Sequence, residues 1–147
     1  MSEITVIINC YNGEKYLKES LDSIFTQTFS DWEILFWDNN SSDASSLIIN
    51  KYNEKIKYYK HHETVSLGLA RNLAVQMTNS KYLCFLDTDD LWYPNKLKYQ
   101  YEVMEHNRDV SLMYCGVNEI NESGVHIRDS IPNNDTGNLF PKLLKKF

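Results

Sequence analysis

The sequence predicts an α/β fold: a mostly parallel sheet with helices on both faces. Three observations carry this. Short β-branched and apolar runs alternate with amphipathic helical stretches through the first 115 residues. The runs are too continuous for strands with one solvated face, so they read as buried on both sides. Three of them end in polar clusters, which places those clusters at one edge of a parallel sheet.

The first strand is Glu3 to Cys10, with Ile4, Val6, Ile7 and Ile8, and Asn12-Gly13 stops it. Leu17, Leu21, Ile24, Phe25 and Thr28 then recur at helical spacing. Trp32 to Trp37 is the second strand, ended by Asp38-Asn39-Asn40-Ser41-Ser42-Asp43. Such clusters form turns, and Asp43 or Ser42 can cap a helix carrying Leu47, Ile48 and Tyr52. Ile56 to Lys60 is a shorter third strand. Ser66 can cap a third helix with Leu69, Ala70, Leu73, Ala74 and Met77 inward. Lys81 to Leu86 is a fourth strand and runs into Asp87-Thr88-Asp89-Asp90. Pro94 suits a helix start, with Leu97, Tyr101 and Met104 inward. Val110 to Cys115 is expected as a fifth strand. Asn118 to Asn138 is rich in Asn, Asp, Ser and Gly and reads as turns or a loose hairpin. Leu139, Phe140, Leu143, Leu144 and Phe147 trace a helical apolar face. That face reads either as part of a domain completed elsewhere or as a terminal helix docked on the sheet.

Composition bounds the function classes. The chain of 147 residues has 15 Lys+Arg and 20 Asp+Glu, a net charge of −5. It lacks the basic stripe of a dedicated nucleic-acid binder. No apolar run approaches the roughly 18 residues that span a bilayer, and Met1-Ser2-Glu3-Ile4 has no basic region leading into a long apolar stretch, so no signal peptide is expected. Cys10, Cys84 and Cys115 are odd in number and widely spaced, which fits no disulfide framework or metal knuckle. They are expected to be buried reduced thiols, and the protein cytoplasmic.

Asp87, Asp89 and Asp90 place three carboxylates within four residues after an apolar strand. Like charges this close repel. A divalent cation relieves the repulsion, and hard oxygen ligands suit Mg²⁺ or Mn²⁺ carrying phosphate oxygens. The plainer reading is a solvated turn leading into the next helix. Tyr11 could stack on a flat base, Asp38 could accept from a base or ribose, and Arg71 could meet a diphosphate as a fixed cation. Each is also an ordinary surface or turn residue. His61-His62 cannot easily share one ion, because neighbours on a strand point to opposite faces.

In this order and spacing the residues resemble the family 2 inverting glycosyltransferases, which bind nucleotide sugars on a GT-A fold. The resemblance runs from Ile4 to about Gln100. It rests on Val6-Ile7-Ile8-Asn9-Cys10-Tyr11-Asn12, Leu21-Asp22-Ser23-Ile24 with Gln27-Thr28-Phe29, and Trp37 to Asp43. It continues through Gly68-Leu69-Ala70-Arg71-Asn72, Phe85 to Trp92, and Pro94-Asn95-Lys96-Leu97. It implies that Tyr11, Asp38 and Asn39 hold the base and that Arg71 lies near the donor phosphates. Asp87-Thr88-Asp89 would be the metal-binding Asp-x-Asp motif. Asp89 would bind Mn²⁺ or Mg²⁺ directly, and Asp87 would reach the ribose or the metal's water shell. Residues 1–117 would form the nucleotide-sugar domain and 118–147 the start of an acceptor-side region. The implied partners are a nucleoside-diphosphate sugar, UDP-sugar favoured, and a glycan or lipid-linked acceptor.

The sequence departs from the family's pattern at Asn9-Cys10, where Pro-Thr or Pro-Ser is common, and at Asn39-Asn40, where Asp-Gly is common. An inverting transfer also needs a general base. Glu119, Glu122, Asp129 and Asp135 remain downstream, and none sits in a recognisable base motif. Two other readings stay open: a nucleotide-sugar-binding module without turnover, and a haloacid-dehalogenase-type phosphatase, whose Asp-x-Asp belongs at a first strand. Lys142, Lys145 and Lys146 beside Leu143, Leu144 and Phe147 could touch a membrane's inner face, and an exposed helix face could pair two copies.

Overall fold

The computed structural model describes residues 2–52, 55–131 and 137. The chain divides into two compact units, Met1–Val103 and Met104–Phe147. The first unit contains β1 (Ile4–Cys10), α1 (Leu17–Phe25), β2 (Trp32–Asp38), α2 (Ser45–Ile49), β3 (Ile56–Lys60), α3 (Leu67–Val75) and β4 (Tyr82–Phe85). It also holds most of α4 (Lys96–His106), whose last turn crosses the divide. The second unit holds β5 (Val117–Ile120) and β6 (His126–Ser130), an antiparallel hairpin.

The four strands of the first unit form a parallel sheet in the order β3-β2-β1-β4. Alternation along the strands sends side chains to two layers. On one face, Ile4, Val6 and Ile8 of β1 and Trp32, Ile34 and Phe36 of β2 pack against Leu17, Leu21 and Ile24 of α1, Ile49 of α2 and Leu97 of α4. On the other, Ile7, Leu35 and Trp37 pack against Ala70 and Ala74 of α3. A fully buried aliphatic side chain in such a layer contributes about 1.5–3 kcal/mol. The expected doubly covered sheet is therefore present. Ser66 caps α3 as expected, accepting from Leu69 N at 3.4 Å. Asp43 serves α2 from just outside the helix, accepting from Ser45 N at 3.0 Å.

Some expectations fail. Val110 to Cys115 forms no strand; the segment is irregular, with Leu112 65% exposed. An apolar run becomes a strand only where a neighbour completes its ladder, and no ladder among the described residues includes it. The exposure of Cys115, expected buried, follows from this. Cys84 is only partly buried, whereas Cys10 is buried. Leu47 is exposed because the short α2 turns Ser45 and Ile49 inward. Leu69 and Met77 are exposed because α3 meets the sheet through the narrow stripe of Ala70 and Ala74, and it ends before Met77. The terminal helix expected from Leu139 to Phe147 lies outside the described residues.

Two tyrosines tie strands and helices to carboxylates. Tyr52 donates to Asp22 Oδ1 at 2.8 Å and Tyr58 to Asp38 Oδ2 at 2.6 Å. Burial first, and then the adjacent carboxylate, pushes both hydroxyls well above their ordinary value of 10. The folded state thus holds these protons more tightly than the unfolded chain. The stability this provides is complete below pH 10 and drains away as pH rises beyond it. Urea midpoints should fall as pH rises above about 10, less steeply in Tyr52→Phe. An identical slope in that variant would contradict the linkage.

Candidate functional site

Strands β1, β2 and β3 step outward in one direction, and β4 returns to the far side of β1. The order therefore reverses between β1 and β4, and open α/β sheets bind ligands beyond the carboxyl ends at such a point. The segments leaving β1 and β4 meet there. A Cβ added to Gly13 would lie 3.1 Å from Thr88 Cβ and Oγ1 and 3.0 Å from Cys10 Sγ. Glycine is what lets the loop carrying Tyr11 close on the turn carrying the acids.

The same loop is laced to the segment after β2. Asn39 N donates to Cys10 O at 2.8 Å, extending the β1–β2 ladder by one bond. Asn12 N donates to Ser41 Oγ at 3.0 Å, and Ser42 N donates back to Asn12 Oδ1 at 2.9 Å. Gly13 N donates to Ser45 Oγ, Glu14 N to Asp43 Oδ2, and Ala44 N to Glu14 Oε2 at 2.7 Å. Asn12 (φ 53°) and Asn40 (φ 68°) hold the left-handed turns that make this possible, a conformation asparagine tolerates better than most residues. Tyr11 is left 56% exposed above the loop.

Asp38 and Asn39 point to opposite sides. Asp38 is 0% exposed; its Oδ1 accepts from Ser41 N at 2.6 Å and its Oδ2 from Tyr58. Asn39 emerges on the α3 side, 7% exposed, and clasps the segment before α3. Its Nδ2 donates to Val65 O at 2.8 Å and its Oδ1 accepts from Val65 N at 3.1 Å. Asn9 and Trp37, paired in register, share that side. Asn9 Nδ2, Trp37 Nε1 and Arg71 Nε are buried without hydrogen-bond partners among the described residues.

Arg71 reaches from α3 to Asp87, Nη2 to Oδ1 at 2.8 Å, and lies 5.4 Å above the Phe85 ring. Both members of the ion pair are partly open, 35% and 53% exposed, so the pair adds little stability and stays within reach of solvent ligands. Asp89 is exposed and makes no hydrogen bond or ion pair among the described residues. Partial burial first, and then the negative charges of Asp89 and Asp87, raises the Asp90 carboxyl above the usual range. The turn therefore carries net negative potential. Among the described residues no three His, Cys, Asp or Glu side chains converge on one metal position. Asp87 and Asp89 are nonetheless two exposed carboxylates either side of Thr88, and Mg²⁺ or Mn²⁺ needs only one or two carboxylates, with water and phosphate in the remaining positions.

The other candidates have partners of their own. His61 stacks on Trp37 at 5.4 Å, and its Nδ1 lies 2.6 Å from Glu63 O, so it does not share an ion with exposed His62. In the hairpin, Glu119 Oε2 pairs with Arg128 Nε at 2.8 Å, and Asp129 Oδ1 with His126 Nε2 at 2.6 Å. Asp135, and Lys142 with its basic and apolar neighbours, lie outside the described residues. No helix among the described residues is long and apolar enough to cross a membrane. Sequence reasoning missed Gly13 as the contact with Thr88. It also missed Ser41 and Ser45, whose hydroxyls replace backbone partners in the loops.

Comparison with known proteins agrees with this architecture. An uncharacterized glycosyltransferase of Methanocaldococcus jannaschii is 37% identical over 134 residues, covering 88% of this chain and 46% of that protein. The Escherichia coli protein WfgD, named as a UDP-Glc:alpha-D-GlcNAc-diphosphoundecaprenol beta-1,3-glucosyltransferase, is 32% identical over 97% of this chain and 55% of its own length. The crystal structure of S. aureus TarS in complex with UDP-GlcNAc superposes with a TM-score of 0.69 at 28% identity, over 72% of this chain and 32% of TarS. The chain thus spans about half the length of these curated relatives and a third of TarS. Residues 5–145 match the family described as Glycosyl transferase family 2, and the chain belongs to that family.

Proposed function

We propose that this chain binds a nucleoside-diphosphate sugar, with UDP as the favoured nucleotide, at the β1–β4 edge, together with Mn²⁺ or Mg²⁺. In the whole protein the bound sugar is transferred with inversion to a glycan or lipid-linked acceptor. The observation that carries the reading is the closure of the Tyr11 loop on the acid turn through Gly13 and Thr88. Tyr11 lies two residues before Gly13, and Asp87, which pairs with Arg71, and Asp89 flank Thr88. The WfgD name supports a UDP-sugar donor and a lipid-linked diphosphate acceptor, and TarS binds UDP-GlcNAc.

In this reading the residues of that edge divide the labour. Tyr11 stacks on the base. Asn39 borders the base pocket while holding Val65, and Asp38 supports the pocket from the opposite face. The unpartnered N–H groups of Asn9, Trp37 and Arg71 suit a ligand rich in acceptor oxygens, as base carbonyls and phosphates are. Arg71 and Asp87 meet the ribose-diphosphate end, and Asp87 and Asp89 hold the cation. A bound Mn²⁺ or Mg²⁺ neutralises charge that builds on the departing diphosphate.

Thermal unfolding with a panel of nucleotides tests the proposal. In Mn²⁺, UDP should raise Tm and AMP should not, because a ligand stabilises only the state that binds it. Tyr11→Ala should weaken UDP binding by about 1–3 kcal/mol, the scale of base stacking on an aromatic ring. Unchanged affinity would leave Tyr11 a surface residue, and no shift with any nucleoside diphosphate would refute the donor site.

A further inference from the structure

Helix α1 and the turn after it carry polar residues beside the apolar face. Ser20 and Ser23, three apart, share one face of α1, and Gln27 lies two residues beyond the helix end. Among the described residues, the side-chain bonds that these three make outside α1 all reach the chain from the acid turn to the start of α4. Ser20 is 0% exposed, and its hydroxyl lies 3.1 Å from Asp87 O and 2.8 Å from Asp90 O. Asp90 N donates to the same Asp87 carbonyl at 3.1 Å. Ser23 Oγ accepts from Trp92 N at 3.1 Å. Gln27 donates to Tyr93 O at 2.8 Å and accepts from Leu97 N at 3.0 Å.

We propose that Ser20 is a positioning residue that sets the separation and direction of the Asp87 and Asp89 carboxylates, and so the strength of cation binding. One buried hydroxyl, its single proton shared or alternating between them, sits against the carbonyls at both ends of a four-residue turn, and both acids lie within that turn. Three of the four residues carry negative charge and repel one another, and the hydroxyl adds to the Asp90 N–Asp87 O bond in holding the turn closed. Ser23 and Gln27 grip only the chain beyond the acids. They anchor the loop without fixing the distance between the carboxylates. The inference rests on the assignment of Asp87 and Asp89 as cation ligands.

The test compares Ser20→Ala with Ser23→Ala by two readouts. The first is hydrogen exchange of the Asp87–Trp92 amides. The second is the ratio of UDP affinity in Mn²⁺ to that in EDTA, a ratio that a general loss of stability does not move. Ser20→Ala should speed exchange at Asp90 while β1 and α1 stay protected, and should lower the ratio by about tenfold or more, the scale for groups that orient metal ligands. Ser23→Ala should leave the ratio unchanged. Unaltered exchange at Asp90, or faster exchange with an unaltered ratio, would overturn the role given to Ser20. A wild-type ratio of one would instead refute the cation assignment, and the exchange readout would still decide whether Ser20 holds the turn.

Discussion

Asp89→Asn is expected to abolish the cation-dependent part of nucleotide binding and leave folding stability within about 0.5 kcal/mol. The side chain is exposed and makes no hydrogen bond or ion pair among the described residues, so its removal breaks nothing in the folded chain. It relieves part of the repulsion that raises Asp90. Its effect should therefore appear only when a cation is present: about 100-fold or more weaker UDP binding in Mn²⁺, the upper end of what supporting groups around metal ligands cost. In EDTA the variant and wild type should bind alike. A variant that keeps the Mn²⁺ enhancement would remove Asp89 from the cation site.

Asp38→Ala should show the opposite pattern. Its carboxylate is fully buried, accepting from Ser41 N at 2.6 Å and from the Tyr58 hydroxyl. Alanine leaves both donors without an acceptor in a site closed to water. The expected cost is about 2–4 kcal/mol of stability, read as a lower urea midpoint at unchanged slope. UDP affinity of the folded fraction should change by about threefold at most, about 0.6 kcal/mol. Lost UDP binding with full stability would show that Asp38 meets the ligand directly.

Asp38 also illustrates what the sequence could reveal. The turn cluster after β2 was legible from composition, because Asp, Asn and Ser end strands by bonding to nearby backbone. Which of two adjacent polar residues faces the crevice depends on the register with which β2 enters the sheet. That register sends Trp37 and Asn39 toward α3 and Asp38 toward Tyr58. The parallel sheet and its two covered faces were legible because Ile4–Cys10 and Trp32–Asp38 are apolar on both sides. The apolar run at Val110–Cys115 carried an equally strong local signal, yet strand formation needs a partner that no local pattern encodes. The acids of the candidate site stood out as like charges crowded after a strand. Their support did not: Gly13 looked like a turn residue, and Ser20 looked like a gap in the apolar face of α1. Each gains its meaning from a contact with the acid turn more than sixty residues away.

The central claim is that the β1–β4 edge binds a nucleoside diphosphate through a divalent cation. Calorimetric titration of UDP into the purified chain, in Mn²⁺ and again in EDTA, tests it most directly. Saturable UDP binding that EDTA abolishes or strongly weakens is the predicted result. Equal binding in both solutions, or no binding of UDP, GDP or dTDP in Mn²⁺, would contradict it.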